Sequence, residues 1–102
     1  MTEVADNTEA HRYEITVDGV VAGFAEYRLR PGKIVFTHTE VRDEFEGRGL
    51  GSTLIRGALD AVRPSGLAVV PLCPFVARYI RRHPEYRDLV DPEHLDLVTT
   101  TD

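Results

Sequence analysis

Apolar and polar residues alternate near the start of the chain, which is the pattern of half-buried β-strands. From His11 to Val17 every second residue is apolar, and Val20 to Arg30 follows an Asp-Gly pair that is typical of hairpin turns. A Pro-Gly pair then precedes a third stretch, Lys33 to Val41, which is rich in β-branched and aromatic residues. The pattern therefore predicts an antiparallel meander of three strands.

The period changes to that of a helix in the middle of the chain. Its apolar face consists of Leu50, Leu54, Ile55, Ala58, Leu59 and Val62. A short apolar run from Leu67 to Leu72 is typical of a strand buried on both faces and parallel to its neighbour. Pro74 suits the first position of another helix, which we expect to run to His83. We predict an α/β fold of the α+β type: a meander, a right-handed β-α-β crossover and a further helix.

Composition and charge limit the classes of function. The chain has 102 residues, of which 42% are hydrophobic and 28% charged, as in one globular domain. We expect residues 1–10 to be a flexible tail, 11–90 the folded domain and 91–102 a polar C-terminal tail. A net charge of −5 argues against a nucleic-acid partner, which would favour a basic surface. No apolar run is long enough for a membrane span and the start is unlike a signal peptide, so we expect a cytoplasmic protein, monomeric or weakly dimeric.

Three glycines connect the third predicted strand to the first predicted helix. Gly47, Gly49 and Gly51 stand at alternate positions, so backbone N–H groups can face an anion without a Cβ in the way. The helix that follows directs its positive N-terminus at the same place. Ser52 stands where the dinucleotide fingerprint needs glycine, and the loop has none of the lysine that a P-loop needs. We therefore predict a phosphate-binding loop of another kind.

Polar and reactive side chains lie beside this loop in the sequence. His38 and Glu40 are two residues apart on a predicted strand, so both side chains project from one face. Cys73, the single cysteine, precedes the helix that starts at Pro74, where backbone N–H groups favour a thiolate. Tyr79 on that helix is a candidate proton donor. Each has a structural alternative: a solvated ion pair on the strand, a small core residue for the cysteine and a core aromatic for the tyrosine.

Several short motifs occur in a fixed order along the second half of the chain. They are HTEV at 38–41, EGRGLGS at 46–52, VPLCPFV at 70–76, YI at 79–80 and HPEY at 83–86. Together they resemble the small stand-alone GNAT-like N-acetyltransferase domain family, a trimmed form of the GNAT superfamily. The resemblance covers Tyr13 to Val90 and implies a minimal acyl-CoA N-acyltransferase fold. Glu46 departs from the Gln or Arg that usually begins the pyrophosphate loop of this family.

The resemblance also implies a cofactor and a reaction. The cofactor is acetyl-CoA or coenzyme A, and the acceptor is an amine of a small molecule or a protein. Separately, no set of His, Asp and Glu residues has the spacing of a metal site, so we expect no metal ion. The residues at positions that match the family's coenzyme A site are Val41, Arg42, Arg48, Gly49, Leu50, Gly51, Ser52 and Pro74.

Acetyl transfer to an amine needs a base, because an ammonium group must first lose a proton. We assign this role to Glu40 or His38, and we assign protonation of the departing thiolate to Cys73 or Tyr79. A second route stays open, in which Cys73 carries the acetyl group as a thioester before the amine attacks. A second function also stays open, namely a coenzyme A-binding or interaction module without catalysis.

Overall fold

Five strands form one sheet in the computed structural model of the chain, which describes residues 1–99. The elements are β1 Thr2–Asn7, β2 Arg12–Val17, β3 Val20–Arg30, β4 Lys33–Val41, α1 Leu50–Val62, β5 Ala68–Pro71, α2 Pro74–Arg82 and α3 Asp96–Thr99. Strands β1 to β4 pair antiparallel in sequence order, and β5 pairs with β4 in parallel after the α1 crossover. The predicted fold class is confirmed, and the predicted elements occur in their predicted order, with β1 added before them and α3 after them.

The core lies between the sheet and helices α1 and α2. Helix α1 has the bounds that its periodicity predicted, and all of the apolar residues predicted for its inner face are buried. The aromatic rings of Tyr13, Tyr27 and Phe36 from three adjacent strands pack against one another in this core. No helix within residues 1–99 is both long enough and apolar enough to cross a membrane.

The N-terminal residues form an edge strand, so the prediction of a flexible tail over residues 1–10 is wrong for Thr2–Asn7. Strand β1 pairs antiparallel with β2 along its whole length. Its one sizeable apolar residue, Val4, packs against the core, and the phenol of Tyr27 donates a hydrogen bond to Asp6 at 2.7 Å. The segment has too few apolar residues to show a strand pattern in the sequence. It is held in place mainly by backbone pairing with the edge of β2.

The residues after β5 are also more ordered than a polar tail. Val90 pairs with Val69 of β5, and the next residues form a 3₁₀ turn, Pro92–His94, and the short helix α3. Val98 is buried, which ties this helix to the core. The predicted tail of residues 91–102 is therefore corrected as far as Thr99, and its last three positions lie outside the described residues.

Asp91 is a buried acidic residue that fastens this C-terminal segment to the sheet. Its carboxylate accepts hydrogen bonds from His94 at 2.7 Å and from Lys33 at 3.3 Å, and its backbone N–H donates to Val69. The hydrogen bond from His94, followed by that from Lys33, holds the pKa of Asp91 below its ordinary value. The carboxylate form is therefore favoured in the folded protein.

The packing of β1 on α1 predicts an unusual response at Gly57, a residue in the helix interior. Replacing such a glycine by alanine normally stabilises a helix by about 1 kcal/mol. Here a Cβ would lie 2.9 Å from the Cβ of Val4, so β1 or α1 must move. We expect Gly57→Ala to lower the free energy of unfolding by about 1–3 kcal/mol, measured by urea denaturation.

The double variant Val4→Ala/Gly57→Ala is the matched control. Removal of the Val4 methyl groups relieves part of the overlap, so the second substitution should cost less in this background. A Gly57→Ala protein that is more stable than the wild type would contradict the packing of β1 against α1.

The environment of Asp91 predicts a stability difference that depends on pH. A carboxyl group whose pKa is lowered on folding stabilises the protein above its ordinary pKa, which is 3.8 for Asp, and loses this effect as the pH falls through the lower folded value. Asp91→Asn should therefore be less stable than the wild type in urea unfolding at pH 6. The difference should close on acidification towards about pH 2, and a difference that stayed constant would contradict the assignment.

Candidate active site

The site begins where two neighbouring strands stop pairing. Strands β4 and β5 pair from Lys33 and Ala68 as far as Phe36 and Pro71. The N–H groups of β5 that face β4 belong to alternate residues beginning at Ala68, which donates to the carbonyl of Gly32 at 3.0 Å. The N–H of Leu72 instead turns back to the carbonyl of Val70 at 3.1 Å, so the regular parallel ladder ends there. The backbone N–H of Cys73 donates to the carbonyl of Phe36 at 2.9 Å, and the chain then enters α2. Strand β4 continues to Val41 with no β5 residue beside it.

A β-bulge at Thr37 decides where the next side chains point. Tyr27 of β3 pairs with Phe36 and Glu26 pairs with His38, so Thr37 is an extra residue in β4. Without it, His38 would continue the buried alternation of Phe36. With the bulge, the side chains of His38 and Glu40 are 54% and 57% exposed, and their atoms Nε2 and Oε1 are 3.2 Å apart. The structure therefore brings this predicted pair together on the exposed face of the sheet.

A cleft of about 390 Å³, here called the glycine cleft, opens at the end of β4. It is lined by Val41, Phe45, Glu46, Gly47, Gly49, Leu50, Gly51, Ser52 and Phe75. Five of the residues predicted to hold a cofactor line it, namely Val41, Gly49, Leu50, Gly51 and Ser52. The loop and the start of α1 thus form a real concavity in the folded chain.

The start of α1 has the properties of an anion site. Gly49 is its N-cap residue, in the left-handed conformation at φ 72°, and no side chain caps the helix. The N–H groups of the first helical turn, which have no acceptor within a helix, therefore face the glycine cleft. Gly47 is also left-handed, at φ 83°, as predicted for a loop that exposes its amides. The geometry suits a phosphate group.

Three predicted cofactor-binding residues are not among those that line the glycine cleft. Arg42 lies 3.4 Å from Glu44, so its charge is partly neutralised, and Arg48 stacks its guanidinium over the ring of Phe45 at 5.4 Å. Pro74 is the exposed first residue of α2. The two arginines lie on the loop but do not point a free charge at the cleft in this conformation.

Sequence reasoning missed the two aromatic walls of the glycine cleft, Phe45 and Phe75. Phe75 lies over Gly51, where a Cβ would come within 2.7 Å of its ring. Gly51 therefore serves close packing of the two helix starts as well as access to the backbone. Phe75 is 37% exposed in the first turn of α2, and a bulky apolar residue so near a helix start is a weak signal that only the fold makes meaningful.

Cys73 lies at the split between the two strands. It is the N-cap residue of α2, is 3% exposed, and its thiol donates to the hydroxyl of Thr39 at 3.3 Å. Thr39 lies between the exposed His38 and Glu40 in the chain. The predicted cysteine is therefore brought to the same stretch of β4 as the polar pair.

Tyr79 is placed elsewhere, in an aromatic cluster beside α1. Its ring stacks on that of His83 at 4.0 Å and lies 5.9 Å from the ring of Tyr86. Tyr86 in turn donates to Asp60 of α1 at 2.7 Å. Burial raises the pKa of the Tyr79 phenol. None of these contacts joins Tyr79 to Cys73, so the structure does not bring the two predicted proton donors together.

Comparison with known proteins assigns the family. The family model described as GCN5-related N-acetyl-transferase matches residues 12–89, from β2 to the 3₁₀ turn Pro84–Leu89. The match covers most of the chain. The chain belongs to the GCN5-related N-acetyltransferase family, as its motifs indicated.

Individual relatives are more distant. A GCN5-like protein from Staphylococcus aureus, whose structure was determined by NMR, has a TM-score of 0.67 with 22% identity and 87% of each chain covered. Protein NATD1 is 33% identical over 57 residues in Xenopus tropicalis and in Homo sapiens, which is 54% of this chain. The chain spans about half the length of these curated relatives, 52% and 50% respectively. The solved structure supports the fold.

Proposed function

We propose that the chain is an N-acetyltransferase that uses acetyl-CoA and transfers the acetyl group to an amine. One observation carries the proposal: the glycine cleft opens at the end of the strand that holds His38 and Glu40, next to the split between β4 and β5. The exposed acid–base pair and the gap in the sheet thus lie on one strand, β4, which has nine residues. The candidate anion site lies in the loop that follows this strand. Membership of the family supports the same activity.

The residues of the glycine cleft fit the pyrophosphate of coenzyme A. The amides from Gly47 to Ser52 would hold the phosphate oxygens, since the helix has no side-chain cap and two glycines keep the backbone accessible. The apolar rings of Phe45 and Phe75 would shield this contact from water. When bound, acetyl-CoA supplies the acetyl group as a reactive thioester.

The exposed pair on β4 supplies the base. An amine is protonated near neutral pH, so a neighbouring group must take its proton before it can act as a nucleophile. We assign this role to Glu40, with His38 as its hydrogen-bonded partner at 3.2 Å. Both side chains are more than half exposed, so an acceptor can reach them from solvent.

Cys73 is assigned to the thiol end of the site. The buried thiol already donates a hydrogen bond to Thr39, which favours a proton donor or a wall of the strand gap over a free nucleophile. Tyr79 is given no role, since its neighbours are His83 and Tyr86.

One observation favours a second candidate function, a coenzyme A-binding module without catalysis. Glu46 lines the glycine cleft in place of the Gln or Arg that usually begins this loop in the family, a departure that leaves the backbone amides available for binding. Such a module would bind the cofactor by its backbone amides and make no use of Glu40. The two functions therefore differ in the importance of that one side chain.

The first prediction tests the anion site at Gly49. A valine there would be forced into a left-handed conformation, while its Cβ would meet no atom within 4 Å, so the loop should change shape and the protein should stay folded. Loss of even one charge-assisted hydrogen bond of about 1.5–3 kcal/mol lowers affinity at least tenfold. We expect this loss for coenzyme A with Gly49→Val, measured by calorimetric titration.

The matched control is Gly66→Val. Gly66 is left-handed at φ 77° with no atom within 4 Å of its Cβ position, and it lies in the turn before β5. This variant carries similar strain but should bind coenzyme A as the wild type does. Unchanged affinity in a folded Gly49→Val protein would remove the glycine cleft from the proposal.

The second prediction tests the base. Glu40→Gln keeps the shape of the side chain but cannot accept the proton, so turnover with an amine acceptor should fall by about 10²-fold or more. The affinity for coenzyme A should stay the same, because Glu40 does not line the glycine cleft. Release of free coenzyme A thiol measures turnover, and Glu3→Gln on the exposed edge strand is the control.

Three other outcomes are informative. If His38→Gln removes activity and Glu40→Gln does not, the base is the histidine. If neither variant loses activity while coenzyme A still binds, the catalytic role of this strand is refuted, and a wild type that binds coenzyme A without turnover would support the non-catalytic module.

A further inference from the structure

A second cavity, here called the hairpin cavity, lies apart from the glycine cleft and has a volume of about 360 Å³. It is lined by Ala10, His11, Glu26, Tyr27, Arg28, Leu29, Arg30 and Thr37. The two concavities share no residue. Its volume is within the range of pockets that bind small molecules. The hairpin cavity ends beside the polar pair of β4 without being lined by it, since Thr37 immediately precedes His38 and Glu26 pairs with His38.

Charge changes sign along the hairpin cavity. Glu26, Arg28 and Arg30 occupy alternate positions of β3, so they share a face opposite to the buried Tyr27. The acidic end lies beside the polar pair, where Phe24 pairs with Glu40. The other end is basic and lies next to the β3–β4 turn. The residues that line the hairpin cavity are therefore dipolar, with the negative end towards the proposed base. Arg12, which pairs with Glu26 across β2 and β3, has its own partner in Glu14 at 2.8 Å.

The basic end has hydrogen-bond donors to spare. Within residues 1–99, Arg28 forms no ion pair, and Arg30 donates to the carbonyl of Leu29, its own neighbour, at 3.0 Å. Lys33 differs, because it lies 3.3 Å from Asp91 and 3.6 Å from Glu93. A guanidinium group with free donors suits a carboxylate or a phosphate, which it binds through two parallel hydrogen bonds.

The spacing sets the size of a ligand that would use both ends. Side chains two residues apart on a strand are roughly 7 Å apart. A ligand whose amine lies beside Glu26 and His38 would therefore reach Arg28 with an anionic group if its amine and that group were roughly 7 Å apart. A diamine of the same length would instead bring a second positive charge to the arginines, which is unfavourable.

We infer that the hairpin cavity binds the acceptor, and that this acceptor is a small dipolar amine: a primary amine joined by a short flexible chain to a carboxylate or phosphate group. The inference rests on the proposed acetyltransferase function. Glu26 and Glu40 attract the amine, Arg28 holds the anionic group, and Arg30 extends the basic end. The acceptor's amine then lies beside the base on β4.

The experiment compares four amines with the full chain and acetyl-CoA. ε-Aminocaproate and aminopentyl phosphate carry the two anionic groups, n-hexylamine carries none, and cadaverine carries a second amine. Release of coenzyme A thiol measures turnover, and titration followed by NMR measures binding of each amine.

The two dipolar amines should have KM values about tenfold lower than that of hexylamine, since one charge-assisted contact is worth about that factor. Cadaverine should be the poorest substrate of the four. The better of the two anionic amines identifies the group that Arg28 binds.

Arg28→Gln should raise the KM and the dissociation constant of both dipolar amines about tenfold and leave those of hexylamine unchanged. Arg82→Gln, which removes an exposed arginine of α2, is the matched control and should change neither. Because Arg28 is exposed, the variant should fold, which circular dichroism checks. The inference would be overturned if hexylamine and ε-aminocaproate were turned over with equal KM. It would also be overturned if Arg28→Gln left the KM and the dissociation constant of the dipolar amines unchanged. In both cases the proposed acetyltransferase function would stand.

Failure of the proposed acetyltransferase function can also be distinguished from failure of the inferred binding site. If ε-aminocaproate binds through Arg28 but no coenzyme A is released with any amine, the dipolar site is supported and the acetyltransferase function is refuted. If neither dipolar amine binds to the wild type, the hairpin cavity is not an acceptor site and the inference is wrong.

Discussion

The end of the pairing between β4 and β5 is the constraint on which the site depends. The N–H groups of β5 that face β4 belong to alternate residues beginning at Ala68, but the N–H of Leu72 turns back to Val70, so the ladder stops opposite Phe36 and the chain enters α2. No β5 residue lies beside the rest of β4, and the bulge at Thr37 turns His38 and Glu40 outward. A backbone turn at the end of one strand and one extra residue in its neighbour thus produce both the gap and the exposed polar pair.

The anion site depends on backbone geometry more than on side-chain charge. The protein carries a net charge of −5, Glu46 lines the glycine cleft, and Arg42 is engaged with Glu44. The attraction for a phosphate in the proposed site is therefore assigned to the amides and the dipole at the start of α1, which glycine backbones leave accessible. The close approach of Phe75 to Gly51 links this geometry to the packing of α2, so the conformation of the loop and the position of the second helix depend on each other.

Both terminal segments extend the pairing of the sheet beyond the predicted strands. Strand β1 covers β2, and Val90 covers β5, where Asp91 is fastened by Lys33 and His94. The outer face of β3 and β4 carries exposed acidic and basic side chains, among them Arg28 and Glu40. The proposed acceptor site lies on this face of the sheet.

The sequence by itself determined the features that depend on local periodicity. The apolar stripe set both ends of α1, and Pro74 set the start of α2. The spacing of Gly47, Gly49 and Gly51 located the loop that lines the glycine cleft, and the two-residue period placed His38 and Glu40 on one face. Each of these is set by backbone geometry within a single element, so neighbouring residues contain the signal.

Only the tertiary structure decided the features that need a distant partner. These features are the pairing of β1, the face to which the bulge turns the polar pair, the contact of Phe75 with Gly51 and the separation of Tyr79 from Cys73. A polar segment such as Thr2–Asn7 becomes a strand because the edge of β2 offers hydrogen bonds, and a bulge is defined by the register of two strands. Neither the edge nor the register is recorded in the local pattern of apolar and polar residues.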